Sequence, residues 1–593
     1  MTRALLATSL LVAALAAPAA AQVAGVDTRT PTATTAAPRP TDPNALVRPT
    51  DLDSAPLGHR LTPQDALAIA RKVPKIADML GRHPGFTAEA YQKGQTRWQV
   101  SYFDPVRKDV PRKEIGQVQI DDASGQVLEA WTGFQVAWTM ARGYPGAFGR
   151  IVTSPWIWIP LSVLFLLPFV QWRRWRSMLH LDLLVLSAFS VSLAFFDNAN
   201  IGMSVPLAYP LLVYLLLRMA GIALRRDRPG PPVRLLVPAT WLAVALIFLL
   251  GFRIGLNATN SNVIDVGYAG VIGADRLVDG NPLYGHFPSD NQHGDTYGPV
   301  VYEAYVPFEQ AKSWSGVWDD LPAAHGAAIA FDLLCVLLLF LLGRRIQRGR
   351  PDLGIALAYA WTAYPFTLYA SNSNSNDSLV AALVLLAILV AGRPVLRGGA
   401  AALAGLTKFA PLALAPLLAT HGLQPGRRVA GLAKFALGFA VAAVVVCLPF
   451  LGEDLSTFYE RSIKFQAERG SPFSIWGLYG WGTAQDIVQV LGVLLAVGLA
   501  LLPRRQDLAG LAAACAAVLL GLQLGVTHWF YLYLPWFFGL VMVALLGRSE
   551  RLVARPGDPL DDRHVDRFPA LGEREAAQHR GPVAQPGQPV AER

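Results

Sequence analysis

Two ionisable residues stand at positions where charge is costly unless it is used. Asp265 is the first carboxylate after the apolar run Leu235–Leu256, within the polar stretch Asn257–Pro307. A carboxylate at the edge of an apolar layer can take the proton from an attacking hydroxyl. Lys408 interrupts the middle of a second apolar run, Gly398–Thr420. A lysine there needs an anionic partner, either a phosphate or a carboxylate. Arg253, at the end of Leu235–Leu256, and His528, in the turn Thr527–Trp529, add two further groups able to hold an anion. Tyr297, Trp529 and Tyr531 offer aromatic surface, and Asn376 and Asp377 in SNSNSND (Ser371–Asp377) offer polar contacts. Each has a plainer reading beside it. Asp265 can cap a helix, Arg253 can snorkel to headgroups, and His528-Trp529 can belong to an interfacial aromatic belt. Asp275, Asp279 and Asp295 read as solvated or turn residues, and Asp182, Arg218 and Asp332, inside apolar runs, as internal partners.

The elements that carry these residues follow from composition. Of 593 residues, 53% are hydrophobic and only 16% charged, and many apolar runs approach twenty residues. That pattern is a polytopic helical membrane bundle. The net charge of +9 is dispersed in short clusters at the ends of apolar runs, which is a topology signal and not a nucleic-acid footprint. Cys335, Cys447 and Cys515 lie within apolar runs without metal-ligand spacing and read as small core residues. No metal site is expected.

In chain order, residues 1–21 have the form of a signal peptide ending at Ala19-Ala20-Ala21, and 22–57, rich in Thr, Ala, Pro and Asp, form a tether. Residues 58–135 are a small α+β module: a helix opened by Thr62-Pro63, then strands at Thr96–Tyr102, Ile115–Ile120 and Val127–Trp131. Its end, IGQVQIDDASGQVLEAW, resembles a PepSY-type domain. Residues 151–230 hold three spans, and 235–546 the remainder. Basic clusters at Arg173–Arg176, Arg225–Arg228, Arg344–Arg348, Arg393–Arg397 and Arg504-Arg505 set the parity. It holds if Gly398–Thr420 is a re-entrant hairpin turning near Lys408–Pro411, for a total of eleven crossings. The stretches Asn257–Pro307, Ser371–Asp377, Leu451–Thr483 and Thr527–Trp529 then share the outer face, and the tail 547–593 is cytoplasmic.

VGYAGVIGADRLVDGNPLY after Asp265, DTYGPVVYEAYVP, LTKFAPLALAP and HWFYLYLPWF together resemble a membrane glycosyltransferase of the GT-C superfamily, in its polyprenyl-phosphate-mannose-dependent branch. The resemblance covers roughly Leu235–Leu546 and implies a mainly α, GT-C-like bundle in a bacterial plasma membrane. It implies a polyprenyl-phosphate sugar as donor, mannose favoured; members of the superfamily differ in metal dependence, and no ligand cluster in this sequence points to a metal or other cofactor. The acceptor is a hydroxyl of a glycolipid, glycan or protein on the extracytoplasmic side. Asp265 is then the general base, and Arg253, Lys408 and His528 bind the donor phosphate. Tyr297, Trp529, Tyr531, Asn376 and Asp377 contact sugar or acceptor. The rival expectation is a transporter or flippase of a lipid-linked intermediate, to which a broken helix and a buried lysine are equally suited.

Overall fold

Thr62 and Asp65 form a capping box, each backbone N–H donating to the other's side chain at 3.1 Å, and this starts helix α1 (Pro63–Arg71). Pro74 then opens a second helix, α2 (Pro74–Arg82). A five-stranded antiparallel sheet runs in sequential order through β1 (Leu46–Val47), β2 (Thr87–Lys93), β3 (Arg97–Phe103), β4 (Glu114–Asp121) and β5 (Val127–Thr132). Alternate residues Trp98, Val100 and Tyr102 of β3 and Val118 and Ile120 of β4 meet Ala66, Ala70, Ile76 and Met79 of the two helices. The expected strands coincide with β3, β4 and β5; α2, β1 and β2 add to the expected module, β1 pairing into the sheet from within the stretch 22–57 that the sequence reads as a tether.

This computed structural model describes residues 46–105, 112–143, 146–171, 174, 176–225, 233–423, 426–450, 452–502, 505–547 and 552–553. The signal peptide, most of the tether, Arg173, Arg226, Arg228 and Arg504, and nearly all of the tail lie outside the described residues.

Short helical turns aside, α3 (Pro155–Leu166), α4 (Met178–Asp197), α5 (Ile201–Leu224) and α6 (Ala239–Thr259) precede the polar stretch, which contains α7 (Asp265–Val278) and α8 (Pro299–Ala311). There follow α9 (Pro322–Ile346), α10 (Asp352–Ala363), α11 (Pro365–Asn372), α12 (Asp377–Leu389) and α13 (Pro394–Lys408). The chain continues through α14 (Ala415–Ala419), α15 (Arg428–Cys447), α16 (Gly482–Leu501), α17 (Leu508–Leu524) and α18 (Leu534–Leu546). Among the described residues, six helices (α4, α5, α6, α9, α15 and α16) are long and apolar enough to cross a membrane, which marks a membrane protein.

The other expected crossings are shorter or broken. The 13 residues of α12 span about 20 Å at 1.5 Å each, short of a hydrocarbon core about 30 Å thick. Gly354–Ala370 is split where Pro365 restarts the helix as α11. Gly398–Thr420 also stops midway: α13 ends at Lys408 and Phe409 takes a left-handed φ of 53°. The chain then doubles back, so that Ala419 O lies 3.5 Å from Arg397 Nη2 near the start of α13. Close backbone contact seats this hairpin, since a Cβ on Gly398 would stand 2.0 Å from Phe435 O of α15.

The short helix α7 is pressed into the same bundle by three glycines on one face. A Cβ on Gly267 would stand 2.2 Å from Asn374 O, one on Gly270 2.6 Å from the Tyr305 ring, and one on Gly273 2.0 Å from Tyr302 Cδ1. Gly267→Ala is therefore expected to cost about 1–3 kcal/mol, seen as a lowered Tm in detergent. An unchanged Tm would show that α7 is not seated through this face.

Candidate active site

The segment that places Asp265 is built from two asparagine-rich stretches knitted together. Asn257 Nδ2 donates to Ser371 O at 2.8 Å and to Asn374 Oδ1 at 2.9 Å. Asn374 Nδ2 donates to Ser261 Oγ and to Asn262 O, each at 3.0 Å, and Asn372 Nδ2 donates to Asn260 O at 3.0 Å. Asn374 turns the chain with φ of 49°, a conformation that asparagine tolerates better than most residues. SNSNSND is thus buried framework, whereas the sequence suggested a surface turn.

Directly after this knit, Ile264 N–H donates to Ser373 O at 3.3 Å and α7 begins at Asp265. The cap position is Ile264, so Asp265 lies within the first turn and no side chain caps the helix. Among the described residues no side chain donates to its carboxylate. Asp265 is exposed to solvent, although protein is dense around its carboxyl. Desolvation there pushes its pKa above the usual carboxylate range, against the opposing positive fields of Arg469 and Lys408. The result is an accessible, unpaired carboxylate of raised basicity.

Lys408 is presented from the broken end of α13. Gly298 N–H accepts the turn by donating to Thr407 O at 2.9 Å, which sets the Tyr297 ring 5.1 Å from Lys408 Nζ. Lys408 Nζ donates to Asp377 Oδ1 at 2.8 Å, and Trp536 Nε1 donates to the same oxygen at 2.8 Å. The rings of Trp536 and Tyr533 lie 5.7 and 5.9 Å from the ammonium. Among the described residues, Asp377 Oδ2 and both polar atoms of the Asn376 amide are buried without a partner.

Arg469 supplies a second positive charge and was not singled out by sequence. Its guanidinium lies 5.3 Å from the Trp138 ring centre and 5.9 Å from that of Phe465, contacts worth about 0.5–1 kcal/mol each. Among the described residues no carboxylate pairs with it. His528 stands close by, its Nδ1 2.9 Å from Ser471 Oγ. Burial first, then the fields of Arg469 and Lys408, pull its pKa down to about 3, so it is neutral at pH 7. His528 can therefore exchange hydrogen bonds here but is not the third cation its position suggested.

Asp265, Tyr297, Lys408, Asp377 and His528 are thus brought within reach of one another's fields, together with Arg469, Tyr533 and Trp536. Three expected site residues are placed elsewhere. Arg253 is buried and bidentate to Asp332, at 2.9 and 2.6 Å, with Nη1 donating to Thr362 O at 3.2 Å. Asp332, read as an internal partner, is thus the carboxylate that occupies it. Trp529 Nε1 donates to Gln523 Oε1 at 3.0 Å, and its ring stacks 6.0 Å from Phe189 of α4. Tyr531 OH is clasped by Ser192 and Ser204 of α4 and α5, each at 2.7 Å. In HWFYLYLPWF the aromatics carry no periodicity that separates them. The chain is extended at Phe530 and then coils, so Tyr533 and Trp536 face Lys408 instead. Nothing in the sequence distinguishes Arg469 from its neighbours Arg461 and Lys464, because its setting is made by rings from distant segments.

Residues 296–548 match the family model of glycosyltransferase family 87. The match takes in Tyr297, Asp377, Lys408, Arg469 and His528, and it supports a membrane glycosyltransferase. Asp265 and Trp138 precede it. A comparison with curated proteins found no match.

If Arg253 serves only to neutralise Asp332, Arg253→Met should lower stability by about 3–5 kcal/mol by leaving a buried charge unpaired. Arg253→Met with Asp332→Leu should recover most of that loss in Tm together with activity. A double variant that is stable but inactive would return Arg253 to the site.

Proposed function

We propose that this protein transfers a sugar, mannose the favoured one, from a polyprenyl-phosphate donor to an acceptor hydroxyl on the extracytoplasmic side of the membrane. The observation that carries this reading is the unpaired, solvent-open carboxylate of Asp265 facing the fields of Lys408 and Arg469. Asp265 takes the proton of the acceptor hydroxyl as that oxygen attacks the anomeric carbon. The bond from that carbon to the phosphate oxygen breaks, its electron pair leaves with the polyprenyl phosphate, and the anomeric centre inverts.

The leaving phosphate gains negative charge and requires cations, not a protonated acid. Arg469 is the better placed of the two, because among the described residues its donors are uncommitted, whereas Lys408 already spends one donor on Asp377. Lys408 keeps two N–H groups for the phosphate, and His528 and Tyr297 border the same space. Asn376, with its amide unpartnered, and Asp377 stay close to the sugar. The match to a glycosyltransferase model favours transfer over the translocation of a lipid-linked intermediate.

Asp265→Asn is expected to lower turnover by about 10²–10⁴-fold with Tm unchanged, read as release of polyprenyl phosphate from a polyprenyl-phosphate sugar. Since the base must be ionised, activity should fall as pH drops through a pKa above the ordinary value of about 4. Arg469→Gln removes a field that lowers this pKa and should move the acid limb to higher pH. Full activity in Asp265→Asn would remove the assignment.

A further inference from the structure

Trp138 belongs neither to the sheet of the N-terminal module nor to the helical bundle, and it precedes the matched residues 296–548. It lies in the connector between β5 and α3, which is fastened at several of its described residues. Arg142 Nε and Nη2 donate to Gln135 O and Val136 O at 2.8 and 2.9 Å. Gln135 Nε2 donates to Ala199 O, between α4 and α5, at 3.2 Å. Gly143, with φ of 63°, is pressed so close that a Cβ would stand 2.3 Å from Ala199 N. Asn262 Nδ2, three residues before Asp265, donates to Ala147 O at 2.8 Å.

So held, the Trp138 indole reaches Arg469 and His528. It lies 5.3 Å from the Arg469 guanidinium, edge-to-face with Phe473 at 5.6 Å, and 6.0 Å from the His528 ring. Phe465 adds a second ring beside Arg469 at 5.9 Å. A guanidinium held by aromatic surfaces instead of a carboxylate is oriented without spending its N–H donors, which stay free for an anion.

We propose that Trp138 is a positioning residue that holds Arg469 toward the donor phosphate, so that the connector of the N-terminal module completes the active site. The proposal rests on the transferase reading above. It makes the module part of catalysis: a displacement of the connector that withdraws Trp138 releases Arg469 and weakens donor binding. The charged groups whose fields act on Asp265 are Arg469, Lys408 and Asp377, with Tyr297 and Tyr533 beside them, so loss of order at Arg469 is read at the base.

The test uses the full chain in lipid nanodiscs and compares Trp138→Leu, which keeps bulk without a ring, with Trp138→Phe, Arg469→Gln and the Trp138→Leu/Arg469→Gln pair. Trp138→Leu should weaken the binding of polyprenyl phosphate roughly three- to tenfold. It should raise the donor KM by a similar factor with little change in kcat, and move the acid limb upward in the direction of Arg469→Gln. Trp138→Phe should restore most of each effect, and the double variant should match Arg469→Gln alone. Unchanged polyprenyl-phosphate affinity in Trp138→Leu, or additive losses in the double variant, would overturn the proposal. A wild-type protein that binds polyprenyl phosphate but transfers no sugar would instead defeat the transferase reading, and the affinity comparison would still decide the role of Trp138.

Discussion

The ion pair between Lys408 and Asp377 is the constraint around which the site is built. A lysine in an apolar bundle demands a partner, and the partner fixes where three elements end. It ties the last residue of α13 to the first of α12 and draws the Trp536 indole of α18 onto the same carboxylate oxygen. The break after Lys408, the left-handed Phe409 and the return through Ala410–Ala419 follow from keeping that ammonium at the level of Asp377. The Tyr297 backbone then meets α13 through Gly298, where no side chain would fit.

Positive charge in this protein divides by whether it is already spent. Arg253 and Arg218 answer internal carboxylates at Asp332 and Asp182, and Lys408 is spent in part, on Asp377. Such pairs are costly to break and mainly fix how helices meet. Arg469 is held by rings instead, and this separates a charge that shapes the bundle from one available to a ligand. Asp265 is its counterpart among the carboxylates: close to positive fields and, among the described residues, bonded to no side chain.

The helices and module that precede the matched region have a structural part in this arrangement. Ser192 and Ser204, on α4 and α5, clasp Tyr531 and so steady the segment that leads to Tyr533 and Trp536. The connector brings Trp138 against His528, and the knit of Asn257–Asn262 with Ser371–Asn374 carries the start of α7. The candidate site is assembled from segments that lie hundreds of residues apart.

Much of the architecture is local and therefore legible in the chain itself. Apolar runs declare the helical bundle, Thr62-Pro63 and alternating strands declare the module, and the lysine at 408 with Pro411 declares a helix that stops midway. Asp265 could be named because it is the first carboxylate after an apolar run, a fact of order alone. Charge pairing is not local. Whether Arg253 faces a ligand or Asp332, and which aromatics of HWFYLYLPWF reach Lys408, depends on rotations of helices far apart in sequence. Hydropathy does not separate long helices from short buried ones, since α12 is as apolar as the six helices long enough to cross a membrane. Arg469 and Trp138 became visible only in three dimensions, because what sets them apart is each other.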